Sequence, residues 1–173
     1  MLAACTGHAD VRHCSCDLTL PDIAATRACS LCLEAAKHGP DETVFMVRDN
    51  DPAKPDRWLV VPRANYDGAN FLAQMSAEER LLLWTTAIAK AREVWGDGWG
   101  IAMNGDISRR QCHAHVHVGK LILSDAGATP GNYIDGPAGL PAIADGTGLW
   151  FHPAGDRLHV HTGDQTTETV LMR

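Results

Sequence analysis

His113-Ala114-His115-Val116-His117-Val118 alternates imidazole with small or apolar side chains without a break. Successive side chains of a strand point to opposite faces, so this spacing puts three imidazoles on one surface, neighbours about 6–7 Å apart, and turns Ala114, Val116 and Val118 toward a core. An exposed polar strand face is the bland alternative, but histidine has only modest strand propensity, and three in alternation have no packing rationale. The stretch therefore reads as a functional surface carried on a strand. Imidazole is also a common metal ligand and His-x-His grips zinc, so catalytic and metal-binding readings both stand at this level.

The histidine strand is expected over His113–Leu123, and the turn-forming segment Gly105 to Cys112 joins it to a preceding strand, Gly100–Asn104. Upstream of the Gly-rich WGDGWG, Ser76 and Glu79 form a capping-box pattern. Leu81, Trp84, Ile88, Ala91 and Trp95 follow at three- and four-residue spacing, which predicts a long helix with one apolar stripe facing a core rather than a ligand. Glu42–Arg48 and Arg57–Val61 are β-branched and apolar around a turn-rich loop, the pattern of an antiparallel hairpin. Cys29 to His38 predicts a short helix stopped by Gly39-Pro40. Residues 124–148 are rich in Gly, Pro, Ala and Asp and predict a long loop. Leu149–His152 and Arg157–His161 then flank an Ala154-Gly155-Asp156 turn, with a further strand expected at Thr169–Met172.

These elements predict a single α+β domain: an antiparallel sheet with one long and one short helix, plus a C-terminal β extension. A length of 173 residues suits one core, and 45% hydrophobic with 21% charged residues suits a globular chain rather than a disordered one. Lys and Arg total 15 against 21 Asp and Glu, a net charge of −6, so no broad footprint on duplex nucleic acid is expected and any polyanion site must be local. No apolar run approaches the roughly 20 residues that span a bilayer, so no membrane partner is expected. Met1-Leu-Ala-Ala-Cys5 resembles the small-residue end of a bacterial lipoprotein signal, but no charged or apolar region precedes it, and the expectation is a cytoplasmic protein. Cys14-x-Cys16 and Cys29-x-x-Cys32 look more like metal-ligand spacing than a disulfide framework.

His113 to Gly119 resembles the His-φ-His-φ-His-φ-φ signature of the histidine triad nucleotide hydrolases and transferases. The surrounding order is similar too: a CxxC, a hairpin ending in Pro62-Arg63, a long helix, a strand ending in Asn104-Gly105, and then the histidines. The resemblance covers residues 29–123, implied to be the catalytic domain; residues 1–28 read as an arm or Cys/His knuckle and 124–173 as an extension of the same domain. It implies a nucleotide substrate cleaved at the α-phosphate, with His115 as nucleophile and His113 and His117 positioning it. It also implies a homodimer paired through the long helix and the neighbouring strand. Asn104 resembles the family asparagine at phosphate or ribose, and equally a turn residue before Gly105.

The chain departs from this family in two places. Where many members carry Gln-Ser, four and three residues before the first histidine, this chain has Ser108-Arg109-Arg110-Gln111-Cys112. Its Gln-x-His-x-His spacing is closer to the CDP-diacylglycerol pyrophosphatase branch. Arg109 and Arg110 are candidate phosphate ligands, with Ser108 and Gln111 beside them, or else solvated loop residues. The family histidine after the second strand is missing from Pro62-Arg63-Ala64-Asn65-Tyr66. Of the zinc ligands that the family implies, Cys29, Cys32 and His113 carry over, with Cys14, Cys16, His13 and His38 as candidates to complete a structural site; the alternative is buried cysteines without metal. A catalytically weak nucleotide- or zinc-binding module on the same scaffold is the second functional reading. His152, His159 and His161 read as an ordinary exposed hairpin, with metal binding or an extension of the site as alternatives.

Overall fold

Seven antiparallel strands form one sheet in the computed structural model, which describes residues 11–14, 16–64, 66, 68–122 and 129–173. They are β1 (Val44–Arg48), β2 (Trp58–Pro62), β3 (Trp99–Met103), β4 (Val116–Lys120), β5 (Asn132–Ile134), β6 (Leu149–Ala154) and β7 (Arg157–Thr162), in the order β1-β2-β4-β3-β6-β7-β5. The helices are α1 (Ser30–Ala35), the single turn α2 (Phe71–Gln74) and α3 (Ala77–Trp95). The expected α+β architecture is therefore observed. The C-terminal strands extend the sheet itself, because β6 pairs with β3 through Ile101↔Phe151, Ala102↔Trp150 and Met103↔Leu149. β3 is consequently paired on both edges, by β4 and β6.

The capping box forms as the sequence predicts: Ser76 Oγ accepts from the Glu79 amide at 3.2 Å, and the Ser76 amide donates to Glu79 Oε2 at 2.7 Å. α3 ends at Gly96, whose φ of +56° is one that L side chains rarely adopt. Its buried stripe is Leu83, Trp84, Ala87, Ile88 and Ala91, while Leu81 faces out, one helical step from the expected stripe. Against it the sheet presents Val60, Trp99, Ile101, Val116, Val118 and Phe151, with Trp84 and Trp99 both edge-on to Phe151.

Cross-strand partners share a face, so Leu59↔His117, Ala102↔His117, Ala102↔Trp150 and Trp150↔His161 place one row of side chains on the face opposite α3. α1 covers one end of that face, packing Leu31 and Ala35 on Phe45, Leu59 and Val61. In mid-sheet, Gly100 and Gly119 are partners whose missing side chains admit Leu171 of the C-terminal tail; a Cβ on Gly100 would lie 2.7 Å from Leu171 Cδ2. The tail is a 3-10 turn at Thr167–Val170 rather than the expected strand, and it touches the sheet by a Leu121↔Leu171 bridge. It is clamped by Arg57, which donates to Glu168 Oε2 at 2.6 Å and to the carbonyls of Glu168, Leu171 and Met172.

The cysteines depart from the metal-like reading. Cys14 is bonded to Cys112 and Cys16 to Cys29, while Cys32 is buried in the same small cluster with Ile23. The arm is thus stapled to the loop that leads into the histidines. Cys5 and His8 lie outside the described residues. Among those described, no helix is long and apolar enough to cross a membrane.

Candidate active site

β4 begins only at Val116, later than expected, because the β2–β4 ladder ends at Val60↔Val116. Beyond it the Ala114 amide donates instead to the Tyr66 carbonyl at 3.1 Å. Ala114, Val116 and Val118 enter the core, as alternation requires. The end of the predicted strand at Leu123 lies outside the described residues.

The three histidines of the motif diverge in role. His113 is buried and its Nε2 donates to the Pro62 carbonyl at 2.6 Å, tying the entry of β4 to the end of β2. His115 and His117 line a cleft together with Arg27, Asp49, Lys54, Asn104, Ser108, Arg110, Gln111 and Glu168. The cleft holds only about 50 Å³ of free volume, well below a small-molecule pocket, so it is a shallow polar notch in which only part of a ligand would sit. The His115 and His117 rings lie edge-on with centroids 5.0 Å apart.

His115 Nδ1 lies 2.9 Å from the His113 carbonyl oxygen. A carbonyl can only accept, so Nδ1 carries the proton and Nε2 keeps its lone pair. Burial, reinforced by His117, holds the His115 imidazole well below its usual range, so it is neutral at physiological pH. His117 is also lowered by burial, against the pull of Glu168 and Asp49, whose carboxylates lie 3.8 and 3.9 Å from its Nδ1. Burial alone would raise Glu168, but His117, the Lys54 ammonium at 2.6 Å and the Asn104 amide together draw it down to about 2.

The loop residues separate into two groups. Arg110 is exposed and lines the cleft. Arg109 is buried: it donates to the Gly68 carbonyl, lies 3.5 Å from Asp106 Oδ1, and stacks its guanidinium over Phe71, so the expected arginine pair does not face a common ligand. Gln111 Oε1 accepts from Ser30 Oγ at 3.2 Å and from the Leu31 amide at 3.4 Å, fixing the start of α1. Ser108 Oγ pairs with Thr166 Oγ1 at 2.7 Å. Asn104 donates to Glu168 Oε1 at 3.2 Å and accepts from the Glu168 amide at 3.0 Å, so both ends of its amide anchor the tail at the cleft wall.

Neither a protein-family model nor a curated protein matches the chain. The site therefore rests on its own geometry. Zinc, the cofactor expected on Cys29, Cys32 and His113, does not fit those residues. The Cys29 sulfur is bonded to Cys16 and offers no thiolate, and His113 Nε2 is engaged by Pro62. Cys16, Cys29 and Cys112 also approach one another, but all three are in disulfides.

Lys54 and Glu168 went unnoticed in the sequence. Lys54 sits in a loop that reads as plain turn chemistry, and Glu168 stands 114 residues away from it, so no local pattern marks either.

Proposed function

We propose that the protein is a nucleotide phosphohydrolase or nucleotidyl transferase that cleaves at the α-phosphate through a covalent nucleotidyl-His115 intermediate. The observation that carries this reading is the bond from His115 Nδ1 to the His113 carbonyl, which fixes the tautomer and leaves Nε2 a lone pair with which it could attack. The histidine triad resemblance of residues 29–123 supports the same assignment. Nε2 forms a bond to phosphorus as the bond to the leaving atom breaks, the bridging oxygen of a pyrophosphate or the nitrogen of a phosphoramidate; that atom departs with the electron pair and takes up a proton from solvent. Water then adds to phosphorus and gives a proton to solvent, the P–N bond breaks with its electron pair returning to Nε2, and the monophosphate leaves with a neutral imidazole restored. Arg110 at the rim and Lys54 within the cleft supply positive charge for the phosphate. His117 positions the His115 ring, while His113 acts through the backbone it holds.

The substrate class is a nucleotide phosphoramidate, a dinucleoside polyphosphate or a related pyrophosphate. Two disulfides favour an oxidising compartment over the cytoplasm expected from the sequence. Incubation with a panel of such adenosine and cytidine substrates is expected to release nucleoside monophosphate. Absence of turnover across the panel would instead support the second reading, a nucleotide-binding module without efficient catalysis. What favours that second reading is Asn104, whose amide is satisfied by Glu168 rather than turned to a ligand.

A further inference from the structure

A second histidine cluster lies on the same sheet face. His152 and His159 are direct cross-strand partners on β6 and β7, and His161 is two residues further along the same face of β7. Contrary to the exposed hairpin expected from the sequence, all three are buried, at 8%, 7% and 2% exposure. The row His117–Ala102–Trp150–His161 crosses three strand spacings, which separates the cluster from the triad by about 14 Å.

The rings are held by the arrangement that metal sites use. His152 Nδ1 lies 2.9 Å from the Pro153 carbonyl and His161 Nδ1 lies 3.1 Å from the Pro130 carbonyl. Each Nδ1 therefore carries the proton and each Nε2 a lone pair, the tautomer that a backbone acceptor imposes on a ligating histidine. Aromatic walls fix two ring planes: His161 stacks on Trp150 with centroids 3.6 Å apart, and His159 on Tyr133 at 4.3 Å. One ring nitrogen from each histidine lies within 4.8 Å of the others. Among the described residues, the buried His161 Nε2 finds no hydrogen-bond partner, a costly state for a polar atom.

We infer that His152, His159 and His161 form a three-histidine site for a borderline divalent transition ion such as Zn2+ or Cu2+. Three neutral imidazoles suit such ions, whereas Mg2+ and Ca2+ take oxygen donors. Three protein ligands leave a fourth position for water or a small ligand. An ion there would satisfy His161 Nε2 and join β6 to β7. The site does not depend on the reaction proposed for His115.

The test uses the intact, disulfide-bonded protein, stripped with chelator and dialysed against Zn2+. One equivalent is expected to remain, and X-ray absorption at the zinc edge should report imidazole nitrogens at about 2.0–2.1 Å without sulfur. His161→Ala and His159→Ala should each weaken retention at least about tenfold, whereas His115→Ala should leave it unchanged. Circular dichroism checks that the variants fold, and if they do not, the absorption spectrum of the unaltered protein decides. The inference is overturned if no zinc is retained at about 10 μM free metal, a binding energy within easy reach of three imidazoles. Sulfur ligation, undiminished binding by folded His161→Ala, or loss of binding in His115→Ala would overturn it equally.

Discussion

Removing the Cys14–Cys112 disulfide is expected to destabilise the protein more than removing Cys16–Cys29, although both staple the same arm. The first closes a loop of 98 residues and the second one of 13. Loop-closure entropy then gives about 4.7 kcal/mol for the long loop and about 2.9 kcal/mol for the short one. For a chain of this size each kcal/mol shifts Tm by about 2–4 °C, so Cys14→Ser/Cys112→Ser should melt roughly 9–19 °C lower and Cys16→Ser/Cys29→Ser roughly 6–12 °C lower. The long bridge also supports the site. Cys112 donates its amide to the Ala28 carbonyl at 2.7 Å and immediately precedes His113, so its loss should slow turnover as well. Thermal melts without reductant, at mildly acidic pH where thiol–disulfide exchange is slow, measure both variants. An equal or larger drop for Cys16→Ser/Cys29→Ser would refute the reasoning.

Arg109→Ala should cost about 3 kcal/mol in denaturant unfolding, because it leaves the buried Asp106 carboxylate without its cation. Arg110→Ala, on the exposed rim, should leave stability within about 0.5 kcal/mol and raise KM. Acid should act in two stages. His115 and His117 have lowered folded-state values, so their stabilisation is present above the ordinary histidine range and begins to be lost as pH falls below about 6.5. Glu168, drawn from 4.5 to about 2, contributes stability above its unfolded value that is lost as pH falls from about 4.5 toward 2, roughly 3 kcal/mol in all. Glu168→Gln should shrink the second stage of a pH-stability titration and, by removing a carboxylate that pulls His117 upward, deepen the first. Light scattering should find a monomer, because β6 occupies the edge of β3 through which the resemblance implied pairing; a dimer that survives dilution would contradict this.

Elements whose cause is local were legible in the sequence. Ser76 and Glu79 specify the start of α3, and the alternation at 113–118 correctly sends Ala114, Val116 and Val118 into the core. β5 was hidden because three residues in a Gly- and Pro-rich stretch make no periodicity. The roles of Arg109, Gln111 and Asn104 follow from partners at Gly68, Ser30 and Glu168, which only the folded chain brings near. Cys29-x-x-Cys32 looked like a metal clip because spacing shows neighbouring thiols but not the distant Cys14, Cys16 and Cys112 that pair across the fold. The burial of His152, His159 and His161 depends likewise on β6 docking against β3, a long-range pairing that the hairpin sequence does not encode by itself.

The central claim is that His115 Nε2 is the nucleophile. Rapid acid-free quench of the protein during turnover of a nucleotide phosphoramidate, followed by proteolysis and mass spectrometry, tests it directly, since a phosphohistidine-type bond survives alkali better than acid. The account predicts a nucleoside monophosphate adduct on the peptide that contains His115, absent in His115→Ala, which should still bind nucleotide within a few fold. Near-native turnover by His115→Ala, or an adduct mapped to another residue, would contradict it.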